Sequence, residues 1–151
     1  MINRVKKYLY EADRHIEHIV EAKDELTLPI ESYEKLSKLE KFALNTLIFR
    51  FSKLQDLLGV KIFREFLEFS GLSMEDLSFF DILKLIEKEK ICDIDNWNEL
   101  RKIRNDIAHD YPEEFDEMIE RINLFVQKSD ELVDIAIDIQ RRFDEIDSKR
   151  D

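Results

Sequence analysis

The side chains best suited to chemistry lie in the segment 104–111, which runs Arg-Asn-Asp-Ile-Ala-His-Asp-Tyr. Arg104 and His109 are five residues apart, Asn105 directly follows the arginine, and Tyr111 comes two residues after the histidine. Histidine titrates near neutral pH and can accept a proton, and the arginine fork matches the oxygens of a phosphate. RNA can be cut without a metal when a base takes the 2′-hydroxyl proton and a cation stabilises the phosphorane. These residue types therefore favour a phosphodiester site.

The helix that carries this segment determines where its side chains point. On a continuous helix, residues five apart point about 140° away from each other. The helix is expected to end soon after His109, because Tyr111 precedes Pro112 and the residue before a proline is disfavoured from helical geometry. His109 then lies in the last turn, at a chain reversal, where its side chain can leave the face that packs on the core. The same stripe carries Arg101, one turn before Arg104.

A purely structural role for the same residues stays open. In this alternative, Arg104 forms a salt bridge with Asp110 or Glu113, and His109 caps the end of the helix. One arginine and one histidine at this spacing do not separate the structural role from a catalytic one.

Composition predicts an all-α protein with a single domain over residues 1–151. The chain is 44% hydrophobic and 39% charged, and it contains two glycines and two prolines. A β-sandwich or an α/β fold needs more turn residues than that. Apolar residues recur at spacings of three and four between the four breaks, which predicts long helices. The breaks are Pro29, Gly59, Gly71 and Pro112.

Charge and cysteine content limit the possible partners and the compartment. The 24 basic and 35 acidic side chains give a net charge of −11, so any contact with RNA must be local and salt-sensitive. Cys92 is the single cysteine, which excludes an internal disulfide and fits a reducing compartment. The N-terminal stretch contains too many charges for a signal peptide, and no run approaches 18 apolar residues. We therefore expect a cytoplasmic protein without a membrane segment.

Several local features carry their own expectations. The stretch 42–49 is apolar nearly all round, which is typical of a helix at the centre of a bundle or at a subunit interface. Ser73 resembles a helix start, and Asp95 or Asn96 is expected to cap the helix that contains Trp97. The last helix is expected to run from Pro112 to about Ile146 and to span about 50 Å. His15 and His18 with Glu11 are more simply solvated than metal-binding, and we expect no metal or cofactor. Four basic residues lie either along an RNA path or on a solvated face: Arg50, Lys53, Lys61 and Arg64.

The pattern Arg104-x-x-x-x-His109-x-Tyr111 resembles the signature of HEPN-domain proteins. It is most similar to the HEPN toxins that are paired with a minimal nucleotidyltransferase antitoxin. The wider segments 97–112 and 49–59 are also similar to that family, and the resemblance extends over most of the chain.

The resemblance implies an up-and-down helical bundle with a long C-terminal helix that forms a homodimer and brings two motifs into one cleft. Arg104 and His109 would be the catalytic pair of a metal-independent endoribonuclease acting on RNA. Asn105 would orient the phosphate or His109, and Arg101 would assist with the phosphate. Tyr111 would be the residue that the partner nucleotidyltransferase modifies with AMP, which silences the toxin. Some relatives are instead non-catalytic binding partners of a nucleotidyltransferase, and this alternative uses the same residues.

Overall fold

A computed structural model describes residues 1–109 and 116–150 of the chain, with His109 described by its backbone alone. The described residues form α-helices and one π-helical turn, with no β-strand among them, which confirms the predicted all-α class. The elements are α1 Asn3–Asp24, α2 Lys38–Leu57, the π-helical turn Leu58–Ile62, α3 Phe63–Phe69, α4 Phe79–Lys88, α5 Ile94–His109 and α6 Ile119–Arg150.

Helix α2 lies at the centre of the packing, because it contacts α1, α5 and α6. Most of the apolar residues at helical spacing face this shared core, although Leu39 and Phe80 are exposed. The largest fully buried side chains come from α1, α2, the π-helical turn, α3, α5 and α6. Close aromatic pairs tie the elements together, such as Phe51 with Phe125 at 4.6 Å and Phe63 with Trp97 at 4.9 Å between ring centroids. In the described part of the chain, no helix is both long enough and apolar enough to cross a membrane.

The stretch 42–49 does not lie at the centre of the bundle, which was one of the two positions expected for it. Ala43, Leu44 and Leu47 are buried, whereas Phe42 is 57% exposed and Phe49 is 53% exposed. The stretch therefore packs on the core by one face and presents large apolar side chains to solvent on the other. It is not surrounded by protein on all sides within one chain.

Two helix starts differ from the expected ones. Helix α4 begins with a capping box formed by Ser78 and Asp81, and not at Ser73. The Asp81 backbone N–H donates to the Ser78 hydroxyl at 3.1 Å, and the Ser78 backbone N–H donates to the Asp81 carboxylate at 3.0 Å. The hydrogen bonds that the Ser78 backbone N–H and hydroxyl donate to the Asp81 carboxylate hold the pKa of Asp81 below its usual value. Helix α5 starts at Ile94, and Asp93 accepts the Asn96 backbone N–H at 2.7 Å, so the cap lies two residues before the earlier of the two expected positions.

The final helix is long, as predicted, but its bounds differ. Helix α6 begins at Ile119 after a turn over 116–118 and continues to Arg150, which gives it 32 residues and a length of about 48 Å. The expected start at Pro112 lies outside the described residues, but the turn shows that no unbroken helix joins the two positions. The longer C-terminal end lets Arg150 donate to the Phe69 carbonyl of α3.

Gly59 was expected to end or kink a helix, and the chain instead passes through the π-helical turn directly into α3. A Cβ atom at Gly59 would lie 3.0 Å from Cζ2 of Trp97 and 3.5 Å from Cζ of Phe79. The absence of a side chain at this position therefore lets the chain between α2 and α3 approach the Trp97 ring of α5 closely. Single π-helical turns inside helices are frequent at functional sites.

Candidate functional site

Helix α5 presents its arginines because its opposite face is fixed in the core. Trp97, Leu100, Ile103 and Ile107 are all buried, as their spacing predicts. Arg101 and Arg104 are one turn apart on the remaining face and line the same cavity. The sequence therefore correctly predicted that these two cations lie side by side.

Arg104 forms a two-pronged ion pair with Asp56 from the last turn of α2. Nη1 donates to one carboxylate oxygen at 3.0 Å, and Nη2 donates to the other at 3.3 Å. The Arg104 side chain is 25% exposed and that of Asp56 is 53% exposed. An ion pair this exposed contributes at most about 1 kcal/mol to stability, but two parallel hydrogen bonds fix the orientation of the guanidinium plane.

A cavity of about 180 Å³ opens beside this ion pair, between the C-terminal end of α2 and α5. Arg101 contributes a second cation, and its guanidinium carbon lies 6.0 Å from the centroid of the Phe79 ring. Phe79 is the first residue of α4, so the capping box of that helix sets its position. The walls are formed by Gln55, Asp56, Gly59, Val60, Phe79, Trp97, Arg101 and Arg104.

Two wall residues hold buried polar atoms without hydrogen-bond partners. Gln55 is 2% exposed and Trp97 is 1% exposed. Neither amide atom of Gln55 nor Nε1 of Trp97 has a partner within the described parts of the chain. An unpaired buried group of this kind costs about 1–3 kcal/mol. Gln55 was not among the site residues predicted from the sequence, although it lies four residues after Phe51 and three before Leu58, on the buried stripe of α2.

A second groove, of about 260 Å³, lies on the other side of Asp56 and is lined by residues of α1, α2 and the π-helical turn. His15 borders it, and its Nδ1 lies 3.2 Å from Nη1 of Arg50. Arginine only donates, so Nδ1 accepts and the imidazole proton is on Nε2. Burial and the neighbouring Arg50 cation lower the pKa of His15, which keeps the ring neutral at neutral pH.

The basic residues that the sequence grouped together divide in the structure. Lys53 and Lys61 line the second groove, and Arg50 contacts its histidine. Arg64 instead donates to the Met74 carbonyl at 3.3 Å and does not line the groove. Three of the four residues therefore lie at the second groove, and Asp56 lines both this groove and the cavity beside Arg104.

The remaining predicted site residues are only partly placed. Asn105 is exposed on α5 and is not among the residues that line the cavity. His109 is the last residue of α5, as expected for the last turn, while its side chain lies outside the described residues. Tyr111 also lies outside them, as do Asp110 and Glu113, which the structural alternative offered as partners of Arg104. The partner that the structure describes for Arg104 is Asp56.

The described segments contain no site arranged for metal binding or for thiol chemistry. No group of three or more His, Cys, Asp or Glu side chains there is arranged to hold a metal ion. Nδ1 of His18 lies 3.5 Å from a carboxylate oxygen of Glu21, which is three residues further along α1. Cys92 is buried, and desolvation raises the pKa of its thiol to about 11, so it stays protonated at neutral pH.

No match to this chain was found among protein-family models, curated proteins or solved structures. A functional assignment therefore depends on the geometry of α5 and its surroundings, together with the resemblance of segment 104–111.

Proposed function

We propose that this protein is a metal-independent endoribonuclease of the HEPN toxin type, active as a homodimer and controlled by a nucleotidyltransferase antitoxin. The observation that supports it best is the presentation of Arg104. Its guanidinium is fixed by Asp56 at the edge of a cavity, on the helix whose last residue is His109. A fixed phosphate-binding fork five residues before a histidine meets the needs of RNA transesterification.

In the proposed reaction, His109 accepts the proton of the 2′-hydroxyl, and the 2′-oxygen attacks the adjacent phosphorus. The bond from phosphorus to the 5′-oxygen breaks, and that oxygen leaves with a proton from solvent. The products are a 2′,3′-cyclic phosphate and a 5′-hydroxyl end. Arg104 binds the phosphate oxygens, where charge builds up in the transition state, and Arg101 with Asn105 orients the incoming strand.

The exposed face of α2 supports association of two copies. Phe42 and Phe49 follow one stripe at helical spacing, and this stripe continues past Asp56, the partner of Arg104. Pairing two chains about a two-fold axis along this stripe would bury the aromatic rings and bring two Arg104 sites towards each other. The large exposed apolar side chains of the stripe are Leu39, Phe42, Phe49 and Val60.

Control by a nucleotidyltransferase would act through Tyr111. An AMP group on its hydroxyl adds a phosphate close in sequence to His109, and that phosphate would compete with RNA for Arg104. Incubation with the cognate nucleotidyltransferase and ATP should raise the mass of the protein by one or more AMP units, and Tyr111→Phe should prevent this. Modification at another residue would show that the switch has been assigned to the wrong tyrosine.

The alternative is a non-catalytic helical partner that presents a substrate or its own tyrosine to a nucleotidyltransferase. One observation favours it: Asp56 already occupies two donors of the Arg104 fork, as in an ordinary structural ion pair. The net charge of −11 also opposes binding of a polyanion.

Expression in a bacterial host separates the two functions. An active ribonuclease arrests growth, and His109→Ala abolishes the arrest. His18→Ala is the matched control, because it removes a histidine of α1 that contacts Glu21 and lines neither cavity beside Asp56. Normal growth with the unmodified chain at high expression, together with AMP transfer to Tyr111, would favour the non-catalytic partner.

A further inference from the structure

We propose that the groove of about 260 Å³ between α1, the end of α2 and the π-helical turn binds a backbone phosphate of the RNA strand. Lys53 and Lys61 supply the positive charge, and His15 donates a hydrogen bond to a phosphate oxygen. The identity of the strand as RNA rests on the proposed function, whereas binding of a strand in the groove can be measured without any cleavage. The groove would hold the strand next to the phosphate that Arg104 binds for the reaction.

The cations at the groove are not neutralised by carboxylates within the described parts of the chain. Lys53 and Lys61 line the groove, Arg50 contacts its histidine, and none of the three forms an ion pair there. Nζ of Lys53 lies 5.6 Å from the centroid of the Phe49 ring. Nζ of Lys61 lies 5.0 Å from the centroid of the Tyr8 ring. An aromatic ring attracts a cation without cancelling its charge, so all three charges remain available to an anion.

Two carboxylates also line the groove, but one of them is already paired. Asp56 forms the two-pronged ion pair with Arg104, which compensates its charge. Glu11 forms no ion pair among the described residues and is the carboxylate that opposes an anion. Three cations against this one carboxylate leave a local excess of positive charge, although the whole chain carries −11. A local field of this sign concentrates anions at the groove.

His15 provides a hydrogen-bond donor at the same place. Its Nδ1 accepts from Arg50 at 3.2 Å, which leaves the proton on Nε2, and Nε2 has no hydrogen-bond partner in the described segments. Burial, and after it the positive charge of Arg50, lowers the pKa of His15, so the ring is neutral at neutral pH. A neutral imidazole adds a directed hydrogen bond, while the lysines add charge. A phosphate oxygen accepts both kinds of contact.

The position of the groove favours a nucleic acid over a small anion. Asp56 and Val60 line both the groove and the cavity beside Arg104, so the two spaces share a wall. A strand that places one phosphate at Arg104 can place another in the groove, which a single small anion cannot do. An acidic segment of a protein would meet the same cations, and binding measurements on variants separate the two partners.

Binding of a labelled 2′-O-methyl RNA, which cannot be cut through its 2′-oxygen, tests the groove in the whole protein. Lys53→Gln/Lys61→Gln should weaken binding at least about tenfold at low salt and reduce the dependence of log Kd on log salt by about 0.7, the value for one phosphate of a single strand. Lys35→Gln/Lys88→Gln is the control, because it makes the same change in net charge at two exposed lysines that do not line the groove. This control should weaken binding by less than about threefold.

Variants that keep one property of the groove test its two parts separately. Lys53→Arg/Lys61→Arg retains the charge and should bind RNA within about twofold of the unmodified chain. His15→Leu removes the donor and should weaken binding about threefold or more, whereas His15→Gln retains an N–H donor and should weaken it less. Equal RNA affinities for His15→Leu and the unmodified chain would refute the role of His15.

Two outcomes would overturn the phosphate site as a whole. The first is an equal loss of RNA binding in Lys53→Gln/Lys61→Gln and Lys35→Gln/Lys88→Gln, because net charge alone would then explain it. The second is unchanged RNA affinity in Lys53→Gln/Lys61→Gln, and loss of binding to the nucleotidyltransferase in that variant would make the groove a protein-docking surface.

Failure of the groove and failure of the nuclease can be told apart. Groove-dependent binding of the 2′-O-methyl RNA by a protein that cuts no ordinary RNA would support the groove while refuting the nuclease. Cleavage at the unmodified rate by Lys53→Gln/Lys61→Gln, at an RNA concentration well below KM, would do the reverse.

Discussion

Asp56 determines how the Arg104 guanidinium meets a ligand, because it holds both outer nitrogens while leaving the pair partly open to water. We expect Asp56→Asn to lower kcat for RNA cleavage about tenfold or more without raising KM, since the fork loses its orientation but gains free donors. The free energy of unfolding should change by less than about 1 kcal/mol, as for other exposed ion pairs.

Steady-state kinetics and urea denaturation of the same preparation check this expectation. Asp56→Glu serves as the conservative variant and should restore part of kcat. A large loss of stability with unchanged cleavage would instead make the Arg104–Asp56 pair an ordinary structural contact.

His15 gives the protein a pH-dependent contribution to stability. Burial and Arg50 lower its pKa below the ordinary 6.5, against a smaller opposing effect of Glu11. A lowered folded-state pKa means that the unfolded chain binds the proton more readily, so the contribution is complete above about pH 6.5 and is lost as the pH falls through the folded-state pKa.

Replacement of this ring should therefore flatten the acid side of the stability profile. We expect His15→Gln to lose less free energy of unfolding than the unmodified chain between about pH 7 and about pH 5. Urea denaturation at a series of pH values measures this, with His18→Gln as the control. Parallel profiles for His15→Gln and the unmodified chain would contradict the assignment.

At the scale of elements, the start of α4 positions the Phe79 ring at the cavity. Ser78→Ala removes the hydroxyl that caps this helix and should lower the free energy of unfolding by about 1 kcal/mol. Ser73→Ala, at an exposed position in the connection before the helix, should change it by less than about 0.5 kcal/mol. Thermal or urea denaturation compares the two variants. An equal loss of unfolding free energy in both would show that the capping box at Ser78 does not determine the start of α4.

The elements also show why some features could be predicted from the sequence and others could not. The buried stripe of α5 could be predicted because a helical period depends on local spacing alone. It consists of Trp97, Leu100, Ile103 and Ile107. Ser73 competed with Ser78 for the same helix, and both precede an aspartate by three residues, so local rules could not choose between them. The ion pair of Arg104 with Asp56 joins residues 48 apart, and only the packing of α2 on α5 brings them together.

At the scale of the whole molecule, the exposed aromatic stripe of α2 predicts a dimer. Sedimentation at micromolar concentration should give about 36 kDa, twice the 18.2 kDa of one chain. Phe49→Glu should shift the mass to that of one chain, because it places a charge among the buried rings of the interface. Ile137→Glu alters a comparably exposed residue of α6 and should leave the dimer intact.

A monomer at all concentrations would rule out a cleft formed by two chains, and one chain alone would then have to catalyse cleavage. Dissociation of the dimer by Ile137→Glu, with no effect of Phe49→Glu, would show that the interface lies on α6 and not on α2.

The most direct measurement of the central claim is cleavage of a labelled RNA by the purified protein in the presence of a chelator. We predict that cutting persists without divalent metal and leaves 2′,3′-cyclic phosphate ends, with rates at least about 100-fold lower for Arg104→Ala and for His109→Ala. Arg141→Ala, which removes an arginine from exposed ion pairs on α6, should cut at the unmodified rate. Cutting that stops in chelator and returns with magnesium, or that survives loss of both Arg104 and His109, would contradict this claim.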